Sequence, residues 1–334
     1  MRTPLLAILA SALLAGPVLG EEVNVYSYRQ PELIEPLTDA FTKKTGIEVN
    51  TVFLQKGLLE RLAAEGDRSP ADLVFTTDIS RLTGLVEAGL TQPVNTEALN
   101  SNIPAEMRDA DGHWFGLTAR ARLVYTSKDR VSEGEVTTYE DLVDPKWAGR
   151  ICTRSGSHAY TLALISAHIA HHGEAATKTW LDGVKANLAR KPQGNDRAQV
   201  KAIWAGECDI ALGNSYYMAA MLKKDEQRAW AESVNVVFPR FENGGTHMNI
   251  SGMALTKSAP NHENAVKLME FLASAEGQKI YAEINAEYPV LPSVRASDLV
   301  ESWGTFERDD KPLTEIAGHR ATALRLIEEV GFDN

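Results

Sequence analysis

Two adjacent tyrosines, Tyr216 and Tyr217, are the side chains in this chain best suited to bind a hard cation. They follow an apolar run, Asp209 to Leu212, and the short polar link Gly213-Asn214-Ser215, and they open a helical pattern. The first N–H groups of a helix lack intrahelical partners and carry partial positive charge, so they stabilise a nearby anion. A phenol at that place is expected to ionise more easily, and its oxygen then suits a trivalent cation such as Fe(III).

Tyr160 repeats this arrangement upstream. A strand ends at Ser155-Gly156-Ser157, and Tyr160 falls in the opening turn of the next helix. The sequence therefore predicts three phenols at the positive ends of two helices, together forming a ferric site. The alternative for each is a half-buried aromatic ring that packs a helix onto a sheet. We expect that packing role for Tyr26 and Tyr28, which alternate onto one face of a strand.

The two cysteines, Cys152 and Cys208, each lie eight residues before one of these tyrosine sites. In an exported protein such a pair is more often a disulfide than a metal or catalytic pair. We predict a disulfide that ties together the segments carrying Tyr160 and Tyr216.

Residues 1–20, MRTPLLAILASALLAGPVLG, combine a single Arg2, an apolar run and small residues up to Gly20. This pattern predicts a secretory signal peptide cut after Gly20, and therefore a periplasmic mature chain. The apolar run is too short to span a bilayer, although an uncleaved anchor is the alternative.

The formal net charge of the chain is −11, and loss of Arg2 makes the mature chain one unit more negative. No basic stripe is available to neutralise phosphates, which disfavours nucleic-acid binding. The sequence also lacks a Ser-His-Asp order and a Gly-x-Ser-x-Gly turn, so we do not expect an enzyme.

The pattern of elements favours an α/β fold with two lobes. In the first lobe, three strands and three helices alternate, which is typical of a mostly parallel sheet covered on both faces. The predicted strands are Val23–Tyr26, Glu48–Phe53 and Asp72–Phe75; the predicted helices are Glu32–Thr45, Leu58–Glu65 and Ile79–Ala88. The run GLTARARLVYTSKDRV reads as a strand that crosses to a second α/β lobe.

The chain is expected to cross between the lobes more than once. The predicted first lobe comprises residues 21–121 and about 246–296, and the second comprises residues 122–245 and about 297–334. Loops at the carboxyl ends of strands meet in the cleft of such a fold, and the loops YSYRQP, FTTDIS, CTRSGSHAY and GNSYY hold the polar candidates.

Several blocks, in one order along the mature chain, resemble the ferric-iron-binding periplasmic proteins of bacterial ABC transporters, the FbpA/FutA group. They are YSYRQ, SPADLVFTTD, LTARARLVYTSKDRV, TTYEDLVDPKWAGRIC, GNSYYMAAM and GTHMNISGMALTKSAPNHENAVKLMEFL with the later EYPV. The resemblance implies a type II, transferrin-lobe-like binding-protein fold with a hinge and an interlobe cleft. It also implies Tyr160, Tyr216 and Tyr217 as the iron ligands.

Many members of that family add a histidine ligand from the first lobe, but the matching positions here are Gln30 and Pro31. In this respect the chain resembles a subgroup of the family that lacks the histidine ligand. In that subgroup a bound anion, carbonate or bicarbonate, completes the ligand set with three tyrosines. Whether Gln30 contacts metal, anion or water is open at this point.

An anion needs donors, and guanidinium groups offer paired donors in one plane. Arg29, Arg120 and Arg122 are the candidates. Alternation along a strand puts Arg120 and Arg122 on one face, so both could point toward the cleft, although one of them could instead pair with an acid such as Asp78. Arg29 and Arg120 are favoured over Arg122. The loop from Ser155 to Ser157 could add backbone N–H donors.

Two further residues, Asp78 and His158, are expected to support the ligands rather than to bind iron. A carboxylate added to three phenolates and carbonate would overload Fe(III), so Asp78 is predicted to hold an arginine in place. His158 is close to Tyr160 but is typical of a helix start. The group His168, His171 and His172 could bind zinc or copper, yet imidazoles also favour the negative end of a helix, here before Gly173.

The resemblance implies a monomeric carrier that captures Fe(III) and delivers it to an inner-membrane ABC permease. The first alternative is a binding protein of the same fold that carries another small anion or an organic ligand. A secreted enzyme with an activated tyrosine is the second, and ferric charge-transfer colour distinguishes iron carriage from both.

Overall fold

The computed structural model describes residues 21–334. The predicted signal peptide, residues 1–20, lies outside the described residues. Within the described part of the chain, no helix combines the length and the apolar character needed to cross a bilayer.

Nine strands in the described chain form one sheet system. They are β1 (Glu22–Ser27), β2 (Glu48–Phe53), β3 (Leu73–Thr76), β4 (Phe115–Ser127), β5 (Ile151–Cys152), β6 (Ile210–Asn214), β7 (Val234–Val237), β8 (Met248–Leu255) and β9 (Tyr288–Pro289). Their order is β2-β1-β3-β8-β4-β6-β5, and β7 and β9 pair with β4.

The expectation of a mostly parallel sheet is wrong for the centre of the molecule. The pairs β1/β2, β1/β3 and β5/β6 are parallel, as strand–helix alternation predicts. Every strand that pairs with β4 or β8 does so in the antiparallel sense, because these two long strands run in opposite directions between the lobes.

Strand β4 covers most of the run that was predicted to cross between the lobes. Its first half, Phe115 to Ala121, pairs with β8, and its second half, Arg122 to Thr126, pairs with β6. All thirteen of its residues are buried. The strand thus changes partner between residues 121 and 122, the place where the predicted first lobe gives way to the second.

Helices cover both faces of the sheet system. They are α1 (Glu35–Thr45), α2 (Leu58–Glu65), α3 (Ile79–Glu87), α4 (Glu97–Asn102), α5 (Ala159–Ala186), α6 (Asp196–Trp204), α7 (Tyr216–Leu222), α8 (Asp225–Glu232), α9 (His262–Ala273), α10 (Ala275–Asn285), α11 (Asp298–Glu301), α12 (Leu313–Gly318) and α13 (Arg320–Val330). A 3-10 segment, Glu140–Val143, precedes α5.

Helix α5 contains a break at Gly173, whose φ of 79° and ψ of 172° are not helical. The backbone conformation is one that glycine adopts without the steric cost that a Cβ would add. The break divides α5 into two helical pieces, one before and one after Gly173. Tyr160 therefore stands on the first of two stacked helical pieces.

Each half of the fold buries an apolar cluster of its own, and a third cluster, which includes Ile250 and Met218, contains residues of both halves. Val25, Phe41 and Phe75 belong to one cluster, and Leu164 and Leu326 belong to another. Full burial of such a side chain contributes roughly 1.5–3 kcal/mol, so these clusters hold the loops between strands and helices in place.

The predicted disulfide is confirmed. Cys152 ends β5 and Cys208 precedes β6, and these two strands are parallel neighbours, with the two Cα atoms 5.9 Å apart. The bond therefore joins the segments that lead to Tyr160 and to Tyr216.

Candidate metal centre

A cavity of about 340 Å³ brings together side chains from both halves of the chain. Its lining residues include Arg29, Gln30, Arg120, Tyr160, Tyr216, Tyr217, Ser251 and Glu287. The three predicted tyrosines are therefore in one place, together with two of the three predicted arginines.

The tyrosines reach this cavity from the starts of two helices, as expected. Tyr160 is the second residue of α5, and Tyr216 and Tyr217 are the first two of α7. The hydroxyl of Tyr216 donates to that of Tyr160 over 3.3 Å, and the ring centres of Tyr216 and Tyr217 are 4.2 Å apart. The three phenols therefore line the same small cavity.

The loop before the tyrosine pair is tied to the crossover strand. The backbone N–H of Ser215 donates to the carbonyl of Ala121 over 3.0 Å, and the N–H of Ala121 donates to the Ser215 hydroxyl over 3.3 Å. Both residues are buried. The position of the tyrosine pair is therefore coupled to the strand that connects the lobes.

For Tyr216 and Tyr217, the expectation that a helix end makes a phenol easier to ionise is not met in the free protein. Burial raises the pKa of Tyr216 well above its ordinary value, and the phenols of Tyr160 and Tyr217 add to the effect. Burial, then Tyr160 and Asp196, raises the pKa of Tyr217 to about 12. Burial is the largest cause for both phenols, so a cation must displace protons to bind these oxygens.

Arg29 lies at the cavity wall in a buried ion pair. Its Nη2 donates to Oε2 of Glu287 over 2.6 Å, and its Nη1 donates to the hydroxyl of Ser251 over 2.7 Å. Thr118 also donates to Glu287, over 2.6 Å. This network fixes the Arg29 guanidinium and partly neutralises it.

Arg120 has donors to spare. Its Nη1 donates to Ser251 over 3.1 Å, and its guanidinium carbon is 5.4 Å from the centre of the Tyr160 ring. The side chain is buried, yet within residues 21–334 neither Nε nor Nη2 has an acceptor. Leaving charged donors unpaired in a buried site is costly, so this guanidinium fits an anion bound beside the phenols.

Arg122 does not face the cavity. It donates to Oδ2 of Asp196 over 2.9 Å and to the Asn214 side chain over 3.0 Å, while Arg154 donates to the other Asp196 oxygen over 2.9 Å. Burial alone would raise the pKa of Asp196, but Arg122 and Arg154 hold it below its usual value. Alternation along β4 was expected to allow both Arg120 and Arg122 into the cleft. Instead, Arg122 is held in an ion pair with Asp196, a buried acid on α6.

The loop of Ser155 and Ser157 does bind a carboxylate, but one that belongs to the chain. Asp333 accepts from the Ser155 hydroxyl and from the backbone N–H of Gly156, both over 2.7 Å. The N–H of Ser157 donates to the same carboxylate over 3.4 Å. The predicted anion donors are thus taken by the C-terminal segment, and neither serine lines the cavity.

Gln30, Asp78 and His158 have separate positions. Gln30 is exposed at the cavity wall. Asp78 caps α3 through the Ser80 N–H at 2.9 Å and accepts from the Asn249 side chain over 2.8 Å, and it makes no ion pair within the described chain. The Asp78–arginine contact that we expected is therefore absent from this part of the structure, because Glu287 and Asp196 supply the acids.

His158 caps α5 and does not line the cavity. Its Nδ1 accepts from the backbone N–H of Tyr160 over 3.2 Å. Burial, and next Arg154, lowers the pKa of His158 to about 3, so the ring is neutral and can accept that hydrogen bond. His158 therefore orients the first turn of α5, which carries Tyr160.

Three residues of the site were missed from the sequence. Glu287 is the first residue of the EYPV block and Ser251 lies inside NISGM, so both stood in motifs already singled out. Asp196 reads as an ordinary acid in the first turn of a helix, and no sequence signal marks it as buried. Its distance of 74 residues from Arg122 hides the pair.

Two α/β lobes joined by crossing strands, with a polar cavity between them, define a solute-binding protein. Residues 26–279 match the bacterial extracellular solute-binding protein family, and the chain belongs to it.

Individual relatives make the placement narrower. The chain is 43% identical, over 93% of its length and 88% of the relative, to iron uptake protein A1 of Synechocystis. It matches apo ferric ion-binding protein A of Pasteurella haemolytica with a TM-score of 0.91 and 50% identity, over 94% and 99% of the two chains. It also matches a Trichodesmium protein solved with iron and citrate, with a TM-score of 0.88 and 42% identity, over 93% and 99%.

These matches confirm the resemblance to the ferric-iron-binding group and the type II, two-lobed fold.

Proposed function

We propose that this protein captures Fe(III) in the periplasm and delivers it to an inner-membrane ABC permease. The observation that carries the proposal is the convergence of Tyr160, Tyr216 and Tyr217 in one cavity beside a buried guanidinium with free donors. Relatives named for iron uptake and ferric-ion binding support the cargo.

The phenols of the three tyrosines are the proposed iron ligands, binding as phenolates. Carbonate or bicarbonate is the proposed anion, held by Nε and Nη2 of Arg120 with Arg29 alongside. Three phenolates neutralise the charge of Fe(III), and the arginine offsets the charge of the anion, so the loaded site is close to neutral.

The rim of the cavity is cationic. Arg197, Lys223 and Lys224 line it, and the Arg197 guanidinium is 5.7 Å from the centre of the Tyr217 ring. Ferric iron in neutral water is carried by anionic chelators, and a positive rim raises the local concentration of such complexes. The rim supports capture from a weak ferric chelate.

Delivery requires that the cavity open. We propose that a monomer bends at β4 and β8, with residues 21–121 and about 246–296 as one lobe and residues 122–245 and about 297–334 as the other. Ser215 is hydrogen-bonded to Ala121 on β4. Bending of β4 therefore also displaces the tyrosine pair relative to Arg29 and Ser251.

A visible-range titration of the mature, iron-stripped protein with ferric nitrilotriacetate tests the proposal. A one-to-one coloured complex, strengthened by bicarbonate and lost in Tyr160→Phe and in Tyr216→Phe/Tyr217→Phe, is expected. Tyr26→Phe is the matched control, because that hydroxyl binds Glu65 outside the cavity. Absence of colour at every iron level would refute the proposal and favour an anion or an organic ligand bound by the arginines.

A further inference from the structure

A second cluster of metal-binding side chains lies outside the cavity. One ligand atom each from Glu140, His168 and His172 lies within 4.8 Å of the other two. We propose that these residues form a site for one divalent transition-metal ion of the type that imidazole prefers, with Zn²⁺ as the representative.

The cluster is separate from the tyrosines although it shares their helix. His168 and His172 are one turn apart on α5, eight and twelve residues after Tyr160, which corresponds to about 12 Å and 18 Å along the axis. Glu140 comes from the 3-10 segment Glu140–Val143. An ion here would bind that segment to the helix just before its break at Gly173.

The hydrogen bonds of His168 fix its tautomer. The Thr177 hydroxyl donates its proton to the carbonyl of Gly173 over 2.8 Å, so it must accept from Nδ1 of His168, which lies 2.8 Å away. The other nitrogen, Nε2, then carries a lone pair. A metal-binding imidazole is commonly held in this way, with one nitrogen donating to an oxygen and the other facing the metal.

That lone pair has no partner. His168 is 2% exposed, and Nε2 is buried without a hydrogen bond among the described residues. The ring is held by stacking on Trp180, with the centres 4.5 Å apart. A buried acceptor that the protein leaves unpaired is expensive, and a metal ion would satisfy it.

His172 and Glu140 supply the remaining ligands. Nε2 of His172 lies 2.6 Å from Oε1 of Glu140, and Oε2 of Glu140 is buried with no partner in the described chain. Both side chains are only partly buried, at 17% and 16% exposure, so an ion and a water ligand can reach them.

Ligand chemistry and geometry select the ion. Zinc binds imidazole nitrogen and carboxylate oxygen at about 2.0–2.2 Å, which places tetrahedral ligands roughly 3.4 Å apart. To bind zinc, the 2.6 Å distance between His172 Nε2 and Glu140 Oε1 must lengthen slightly, and the longest distance between ligand atoms, up to 4.8 Å, must shorten. Rotation of the partly exposed Glu140 side chain allows both changes. Two imidazoles and one carboxylate suit Zn²⁺, whereas the phenol site suits Fe(III).

The attraction of imidazoles to the negative end of a helix does not by itself account for the contacts of these histidines. Helix α5 resumes after Gly173, and the imidazoles point to acids and to Thr177 rather than to free carbonyl groups. His171 pairs with Asp309 at 2.8 Å and stacks on Phe241, so it flanks the cluster without joining it.

Zinc binding to the mature protein, measured by competition with a chromophoric chelator, tests the proposal. The Tyr216→Phe/Tyr217→Phe background removes the proposed iron site and is expected to retain one Zn²⁺ per chain. In that background, His172→Gln and Glu140→Gln should each weaken binding at least 10-fold, while His262→Gln, at an exposed histidine on α9, should not.

Thr177→Val tests the positioning of His168. It leaves the three ligands in place but removes the acceptor for Nδ1–H, and we expect Zn²⁺ binding weaker by roughly 10- to 100-fold. Circular dichroism and the ferric band, in variants that keep the tyrosines, report whether the fold survives. Zinc should also raise the Tm of the protein, and His172→Gln should abolish that rise.

Two results would overturn the proposal: no bound Zn²⁺ in the Tyr216→Phe/Tyr217→Phe background, or full affinity in either His172→Gln or Glu140→Gln. Because the Zn²⁺ affinities of His172→Gln and Glu140→Gln are measured in the background that lacks the tyrosine pair, failure of this proposal leaves the ferric proposal untouched.

Discussion

Loading of iron should release protons from the phenols, and the number released tests how iron is bound. At neutral pH the phenols of Tyr216 and Tyr217 are neutral in the free protein, because burial raises the pKa of both. Ferric phenolate bonds require that these protons leave. Three protons per iron are expected if Tyr160 also binds as a phenolate.

The size of the effect follows from Tyr217. With a pKa of about 12, only about one molecule in 10⁵ carries this phenolate at pH 7, and forming it costs about 7 kcal/mol that the iron bond must offset. Each phenol that ionises on binding lowers the apparent iron affinity about tenfold per unit of acidification. Tyr216 and Tyr217 together therefore contribute about 100-fold per pH unit.

The assay is proton release into a weak buffer on addition of a fixed ferric chelate, expressed per iron bound. Wild-type protein and Tyr217→Phe receive iron from the same chelate, so protons lost or gained by the chelator cancel in the difference. The variant should release one proton fewer. Equal release from the two proteins would refute phenolate binding by Tyr217.

Three other predictions concern the anion, the disulfide and acid stability. Arg120→Gln should weaken ferric binding by about 10- to 100-fold and remove its dependence on bicarbonate, because a charged donor is lost, as titration in degassed and bicarbonate buffers will show. Replacement of Cys152 and Cys208 by alanine should lower the free energy of unfolding by about 4 kcal/mol in urea, given the 56-residue separation. His247→Gln should flatten the decline in unfolding free energy between about pH 6.5 and pH 3.

The sign of the His247 effect follows from its pKa. Burial, and next Arg122 and Arg120, lowers the pKa of His247 to about 3. Below pH 6.5, His247 of the unfolded chain binds a proton, whereas His247 of the folded chain stays neutral until the pH approaches 3. The free energy of unfolding therefore falls as the pH decreases from 6.5 towards 3, by about 1.4 kcal/mol per pH unit. Identical slopes for wild type and variant would contradict this assignment.

The anion prediction has a control variant, and both the anion and the disulfide predictions have an outcome that would contradict them. Arg325→Gln removes an exposed arginine on α13 and should leave both the iron affinity and the bicarbonate effect unchanged. An anion effect equal in Arg120→Gln and wild type would place the anion elsewhere. A loss below about 1 kcal/mol on removal of the cysteines would show that the unfolded chain gains little freedom without the bond.

Local patterns predicted the first lobe closely. Strand β2 and helix α2 have the predicted bounds, and α1 ends before Gly46, whose φ of 78° is left-handed. These elements depend on apolar periodicity and on glycine at a helix end, both of which lie within a few residues. The tyrosine positions were predictable from equally local patterns, because Tyr160 and Tyr216 each fall in the first turn of a helix that follows a polar loop.

Contacts between distant residues were not predictable in the same way. The Ser155 loop binds Asp333, 178 residues away, and Arg122 binds Asp196 on another element. Which acid takes a given donor depends on the packing of the whole domain, and helices α12 and α13, which bring the C-terminus to that loop, were not foreseen. The raised pKa values of Tyr216 and Tyr217 likewise arise from burial, which the sequence does not show.

The most direct test of the central claim is an anomalous difference map from crystals of the iron-loaded protein, measured on both sides of the iron absorption edge. The account predicts one iron peak bonded to the phenol oxygens of Tyr160, Tyr216 and Tyr217, with an anion between the iron and Arg120. An iron peak away from these oxygens, or one bonded to none of the three, would contradict it.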